Sequence, residues 1–191
     1  PADPFFGDRV RNFYSEDIYV GYRYFETVAA DKVLYPFGFG LSYSSFSIKP
    51  EFFEDTLDSI IHISVSVRNC GNMRGKEVVQ VYLQTPQGIL GKPAKSLVAF
   101  RKTRELVPGE VQYLEFSMAK ESFASYDDSG ITGNKSCYIL EAGTYKVFAG
   151  NSVRDLQTAG EFEISQTIVT QRLEEALAPD MGFKRMKPSF D

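Results

Sequence analysis

Tryptophan is absent from this chain, histidine occurs once (His62), and cysteine occurs only as Cys70 and Cys137. A single histidine and two distant cysteines leave too few soft ligands for a zinc centre. Two cysteines also make no disulfide framework, and both are read as reduced structural thiols, with one disulfide as the alternative. Sparse cysteine tilts the setting toward the cytoplasm rather than secretion. No apolar run approaches the roughly 20 residues that cross a bilayer, and Pro1-Ala2-Asp3-Pro4 has no signal-peptide character. In a fragment, such an opening says nothing of the parent's compartment. Positive charge is also lacking: 21 Lys and Arg face 25 Asp and Glu, a net charge of -4. Nucleic acid and anionic membranes, which demand a concentrated basic face, are therefore not the expected partners. A neutral ligand such as a sugar fits that balance, but without tryptophan the strongest stacking platform for sugars is missing.

What the chain does have is 16 Phe and 11 Tyr among 191 residues, enough length for a sizeable core. The organising stretch runs from Tyr14 to Phe46. Within Glu16 to Phe25, Ile18, Val20, Tyr22 and Tyr24 alternate with Tyr19, Arg23 and Phe25, which predicts a strand apolar on both faces over about 17–25. From Val33 to Tyr43, Gly38 and Gly40 interleave with Phe37 and Phe39. That is a packed connector, able to bend sharply while burying rings.

From Phe46 onward the texture becomes that of an all-β, immunoglobulin-like sandwich. Ile61, Ile63, Val65 and Val67 alternate with His62, Ser64, Ser66 and Arg68, a half-buried antiparallel strand. Val78 to Leu83 and Leu97 to Lys102 are further strands. Val107-Pro108-Gly109 reads as a turn, with Pro presetting φ and Gly accepting a positive one. In Val111 to Met118 the set Leu114, Phe116 and Met118 is expected to face inward. Ser136 to Leu140 and Gly143 to Gly150 form a strand pair or one bent strand, and Phe162 with Ile164 supplies the last strand. Ile168, Leu173 and Leu177 stand near helical spacing, with Pro179 as a stop.

The strings Asp17-Ile18-Tyr19-Val20-Gly21-Tyr22-Arg23-Tyr24-Phe25 and Tyr35-Pro36-Phe37-Gly38-Phe39-Gly40-Leu41-Ser42-Tyr43 resemble the end of the α/β sandwich domain of glycoside hydrolase family 3, the β-glucosidase family. Asp17 stands where that family more often has Gly. Val67-Arg68-Asn69-Cys70-Gly71, Gly75 to Leu83, Leu106 to Glu110 and Gly143 to Ser152 resemble the fibronectin type III-like domain that follows it. The resemblance covers roughly residues 10–165. It implies three parts: 1–45 as the end of the α/β sandwich domain with its connector, 46–166 as the fibronectin type III-like domain, and 167–191 as a C-terminal extension. It also implies a parent that hydrolyses β-glucosides with retention, using an aspartate nucleophile and a carboxylic acid/base. Neither motif matches any position of this chain. Some family members carry the barrel after this module, so both domain orders stay open.

No residue of the chain is therefore assigned a catalytic, substrate-binding or metal role, and no cofactor is expected. Glu16 and Asp17 are neighbours whose side chains leave an extended strand on opposite faces, so they cannot flank one sugar bond. Asp127 and Asp128 read as solvated loop carboxylates. His62 sits on the outward face with Ser64 and Ser66 and has no pocket partner. Gly38-x-Gly40 lacks the helix start and Lys of a phosphate loop. Tyr22, Arg23, Tyr24, Phe37 and Phe39 are the candidates for an interdomain contact, since an arginine among rings stacks and donates planar hydrogen bonds. The expected partners are the parent's catalytic domains, with the β-glucoside bound by the parent only, and a second copy in a homo-oligomer. The competing expectations are a carbohydrate-binding module and a protein-interaction module without hydrolase activity.

Overall fold

Regular alternation of apolar and polar residues produces strands where it is strongest. The structure, a computed structural model, describes residues 12–178 and 182–187. The irregular lead-in expected at 1–13 and the stop at Pro179 fall mostly outside them. Helix α1 (Tyr22–Val28) precedes ten strands: β1 (Phe46–Asp55), β2 (Ile60–Asn69), β3 (Val78–Gln84), β4 (Ser96–Lys102), β5 (Val111–Ala119), β6 (Ser125–Asp127), β7 (Cys137–Leu140), β8 (Gly143–Gly150), β9 (Leu156–Ile164) and β10 (Ile168–Arg172). One sheet has the order β1-β2-β5, the facing sheet β4-β3-β8-β9, and a small ladder β10-β7-β6 closes one end; every pairing is antiparallel.

The core lies between the two larger sheets. Ile61, Ile63, Val65 and Val67 of β2 meet Val79 and Val81 of β3 and Val147 of β8, all fully buried. Leu114, Phe116 and Met118 of β5 face inward as expected. Each such aliphatic side chain contributes about 1.5–3 kcal/mol by leaving water. Pro50 interrupts β1 without breaking the sandwich because β1 is an edge strand and its register shifts between Pro50 and Phe52, the setting in which a missing N–H is tolerated. The turn at Val107 also forms as expected: Glu110 N–H donates to Val107 O at 3.0 Å, with Gly109 at φ 83°.

Four expectations require correction. The strand over 17–25 is absent; residues 14–19 turn, with Asp17 N donating to Tyr14 O at 3.1 Å and Tyr19 N to Glu16 O at 2.9 Å, and after Gly21, at φ 59° and ψ -131°, Tyr22–Val28 coils into a helix. The apolar alternation misled because the side chains that anchor this segment are spaced four apart, not two. Of the stretch 168–177 read as near helical spacing, Ile168–Arg172 forms a strand paired with β7 instead, since the β-branched run Ile168-Val169-Thr170 favours a pleated surface. β7 and β8 do not pair with each other; the chain turns at Glu141 and changes sheet. Finally, Asp127 is fully buried, and Asp128, partly exposed, is ion-paired with Arg185. Cys70 is exposed and Cys137 buried, both as free thiols.

Two buried polar side chains fix loops that hydrophobic packing leaves undetermined. Asn69, at the end of β2, accepts from Ser44 Oγ at 2.6 Å and Gly71 N at 3.0 Å; its amide donates to Met73 O at 2.8 Å and Leu106 O at 2.9 Å. Both donors and both lone pairs are thereby used. Asp127 accepts from Gly130 N at 2.7 Å, Ile131 N at 3.2 Å, Thr132 N at 2.9 Å, Thr132 Oγ1 at 2.7 Å and Ser129 Oγ at 3.2 Å. Burial pushes its pKa up, but the donors from Thr132, Gly130 and Ser129 outweigh it and hold the carboxyl below its usual range.

Replacing Asn69 by Ala strands buried groups on three loops, and urea unfolding is expected to show a loss of about 2–3 kcal/mol. Because the folded-state pKa of Asp127 is lowered, its contribution is complete above its ordinary value of 3.8 and is lost as pH falls through the folded value. Asp127→Asn is therefore expected to be destabilised at neutral pH, with the gap to wild type narrowing on acidification to about pH 2.5; a gap independent of pH would show that the charge is not what matters.

Candidate interdomain surface

β3 is flanked on both sides and buried on both faces. Val79, Val81 and Leu83 point into the core, while Gln80 and Tyr82 on the opposite face are also covered. Their cover is the lead segment, residues 12–45. Gln80 Nε2 donates to Asn151 O at 2.7 Å, and Gln80 Oε1 accepts from the Tyr82 hydroxyl at 2.5 Å. Burial, with the nearby Tyr22 and Glu26, drives the Tyr82 phenol well above its ordinary value, so it remains a neutral donor.

The connector seats directly on this face. Pro36 to Phe39 forms a turn, with Phe39 N donating to Pro36 O at 2.9 Å and Gly38 at the third position with φ 88°. A Cβ on Gly38 would stand 2.5 Å from Gln80 Nε2 and 2.8 Å from Ser152 Cα. Glycine is required both for the dihedral and for the close approach. Phe37 O accepts from Val153 N at 2.9 Å, so the connector's backbone is joined to the loop after β8. Gly40 has no neighbour within 4 Å of its would-be Cβ and no such constraint.

Helix α1 adds a second anchor along one face. The Tyr22 ring stacks on Phe37 at 4.7 Å and stands edge-on to Tyr82 at 6.0 Å, while its hydroxyl accepts from Leu97 N at 2.8 Å. Glu26, four residues on, pairs with Arg154 at 2.9 Å, and Arg154 also donates to Ala30 O at 2.7 Å. Thr27 Oγ1 donates to Arg23 O at 2.6 Å and accepts from Ala94 N at 2.9 Å. Of the five expected contact residues, the structure thus brings Tyr22 and Phe37 together; Phe39 lies 5.1 Å from Tyr35, Tyr24 stands edge-on to Phe25, and Arg23 is exposed. Gln80, Tyr82, Glu26 and Arg154 escaped the sequence reading. Glu26 and Arg154 are 128 residues apart and carry no local signal of pairing.

The outer side of the same segment is open and apolar. Leu34 is 91% exposed, Tyr35 71%, Leu41 93% and Tyr43 96%, with Phe37 and Phe39 near half. Eleven of the 25 exposed large hydrophobics among the described residues fall between Tyr14 and Tyr43. Contiguous exposed apolar surface of this kind is characteristic of interaction sites. Its inner side is tied to the sandwich by directional bonds, which makes it a rigid platform.

The comparisons with known proteins join this geometry to a family. Residues 77–153 match the model of the fibronectin type III-like domain. The chain is similar to a β-glucosidase of Ruminococcus albus, 48% identical over 97% of this chain and 19% of that protein, and to β-glucosidase A of Butyrivibrio fibrisolvens, 46% identical over 91% and 23%. Among solved structures, a β-glucosidase from Paenibacillus barengoltzii superimposes over the whole chain with a TM-score of 0.92 at 47% identity, matching 21% of that chain. The chain belongs to the fibronectin type III-like portion of glycoside hydrolase family 3. It spans about a fifth of the length of these relatives. The β-glucosidase 3B of Thermotoga neapolitana matches the family portion more distantly, with a TM-score of 0.72 at 34% identity over 82% of this chain and 21% of that one.

Gly38→Ala is expected to unseat the connector, costing about 2–3 kcal/mol from the forced dihedral and the clash with Ser152, and to speed tryptic cleavage at Arg23 and Lys32. Gly40→Ala, two residues away, should stay within about 0.5 kcal/mol of wild type. Equal losses at both positions would rule out the seating described here.

Proposed function

We propose that this chain is the bracing module of a family 3 β-glucosidase, whose parent hydrolyses terminal β-D-glucosyl residues with retention of configuration. The nucleophile and acid/base belong to other domains of that parent. The observation that carries this reading is the two-sided lead segment: bolted to the sandwich through Tyr22, Phe37, Gly38 and Glu26, and apolar outward through Leu34, Tyr35, Leu41 and Tyr43. Tyr22 and Phe37 hold the segment in place from within, while Phe39, Tyr24 and Arg23 meet the neighbouring domain at its rim. Residues 1–45 work as connector, 46–166 as brace and 167–191 as extension.

The loop from Thr85 to Lys95 supports the same role at the sandwich end. Lys92 Nζ lies 2.6 Å from Glu141 Oε2 in a nearly water-free setting and donates to Pro86 O at 3.1 Å, while Glu141 Oε1 accepts from Ile89 N at 2.8 Å. A loop held so firmly, with Ile89 57% exposed at its tip, is suited to shape a neighbouring rim. Breaking one half of a buried pair costs about 3–5 kcal/mol, so the loop keeps one conformation.

The test is complementation. The parent's catalytic part, produced without this segment, should have low β-glucosidase activity and aggregate on mild heating. Adding this chain in trans should restore activity, and the Tyr35→Ser, Leu41→Ser, Tyr43→Ser triple variant should restore several-fold less. Full activity and stability of the catalytic part alone would sink the bracing role.

A further inference from the structure

The C-terminal segment 182–187 returns to the start of the described chain. Met186 N donates to Ser15 O at 2.7 Å, Phe183 lies 5.8 Å from Phe13, and the Arg185 guanidinium stands 5.4 Å over the Phe183 ring. Arg185 Nη1 faces two carboxylates from regions far apart in sequence: Asp17 Oδ2 at 3.4 Å, and Asp128 Oδ2 in a closer contact. The hydrogen bond it donates to Asp128, with both negative charges, raises the guanidinium's pKa further.

The surface that receives this segment is prepared in advance. The loop after β6 is wound around the buried Asp127 carboxylate, which leaves Asp128 pointing outward. The same loop holds the tail at two further points: Leu173 N donates to Ser136 O at 2.9 Å, and Lys135 pairs with Glu175 at 2.6 Å. Residues 173–175 are therefore tied to the loop after β6, and residues 185 and 186 to Asp128, Ser15 and Asp17.

We propose that residues 182–187 form a releasable strap, with Arg185 as its buckle, that clamps the start of the lead segment onto the loop built around Asp127. This goes beyond the bracing role and stands whether or not the parent is a glycosidase. The strap's ion pairs are a third exposed and belong to the weak, salt-screened class. Its grip is consequently conditional, unlike the buried bonds under Gly38, and it sets when residues 13–19 are fixed relative to the sandwich.

Hydrogen exchange on the full chain tests this. Arg185→Ala should speed exchange of the Asp17, Tyr19 and Met186 amides by about fivefold, with the amides of β2, β3 and β8 unchanged. Asp128→Asn should give the same pattern, and the double variant should add little to either, as expected for partners in one contact. Raising salt to about 1 M should loosen the wild type toward the variants. Unchanged exchange at Asp17 and Tyr19 in both single variants, additive effects in the double, or loss of protection spreading into β2 and β3, would each overturn the proposal.

Discussion

The structure depends on covering the outer face of β3. In an antiparallel sandwich that face is normally left to water and carries polar side chains. Here it carries Gln80 and Tyr82, both buried, whose polar atoms are consumed by each other and by Asn151 O. A buried amide and phenol are stable only while every donor and acceptor is engaged and water is kept out. The lead segment supplies that exclusion with Tyr22 and Phe37, and Gly38 lets the chain come close enough to do it. The sandwich and the lead segment are therefore one structural unit, although only the sandwich has the pattern of an independent fold.

This dependence explains which parts of the structure were legible in the sequence. Strands β2, β3 and β5 were readable because their alternation with period two is enforced by one large core. The turn at Pro108 was readable because Pro and Gly restrict φ locally. The lead segment was not, because its geometry is decided by residues 80, 97 and 151–154, far away in the chain. The rings of Tyr22 and Phe37 were identified as contact residues, but on a strand rather than on a helix and a turn. Gly38 and Gly40 look equivalent in sequence; only the nearness of Gln80 and Ser152 separates them. Asp127 was misjudged for a different reason, since all its donors lie within the next five residues. Aspartate in a turn-rich stretch is ordinarily solvated, and the run Ser129-Gly130-Ile131-Thr132 that supplies its five donors does not by itself announce that the carboxylate is enclosed.

Buried polar groups hold three of the connections between strands. Asn69 gathers the ends of the connector, β2 and the turn before β5; Asp127 winds the loop after β6; Lys92 and Glu141 pin the loop after β3. Apolar packing of β-branched residues is tolerant of small shifts, whereas hydrogen bonds are directional. The division of labour follows: hydrophobic area stabilises the sandwich, and these four side chains select one arrangement of its loops. Arg185, partly exposed and paired across the surface, belongs to a weaker class of contact.

The pairing of Glu26 with Arg154 has a consequence for biosynthesis. The two residues are 128 positions apart, so at roughly 5–20 residues per second a ribosome takes about 6–25 s to deliver the second after the first. Throughout that interval the aromatic lead segment is outside the exit tunnel without the loop that anchors it. Its rings are then available to chaperones and to whatever has already been translated. The last-made turn of the sandwich, at 151–154, is thus the step that ends this vulnerable period.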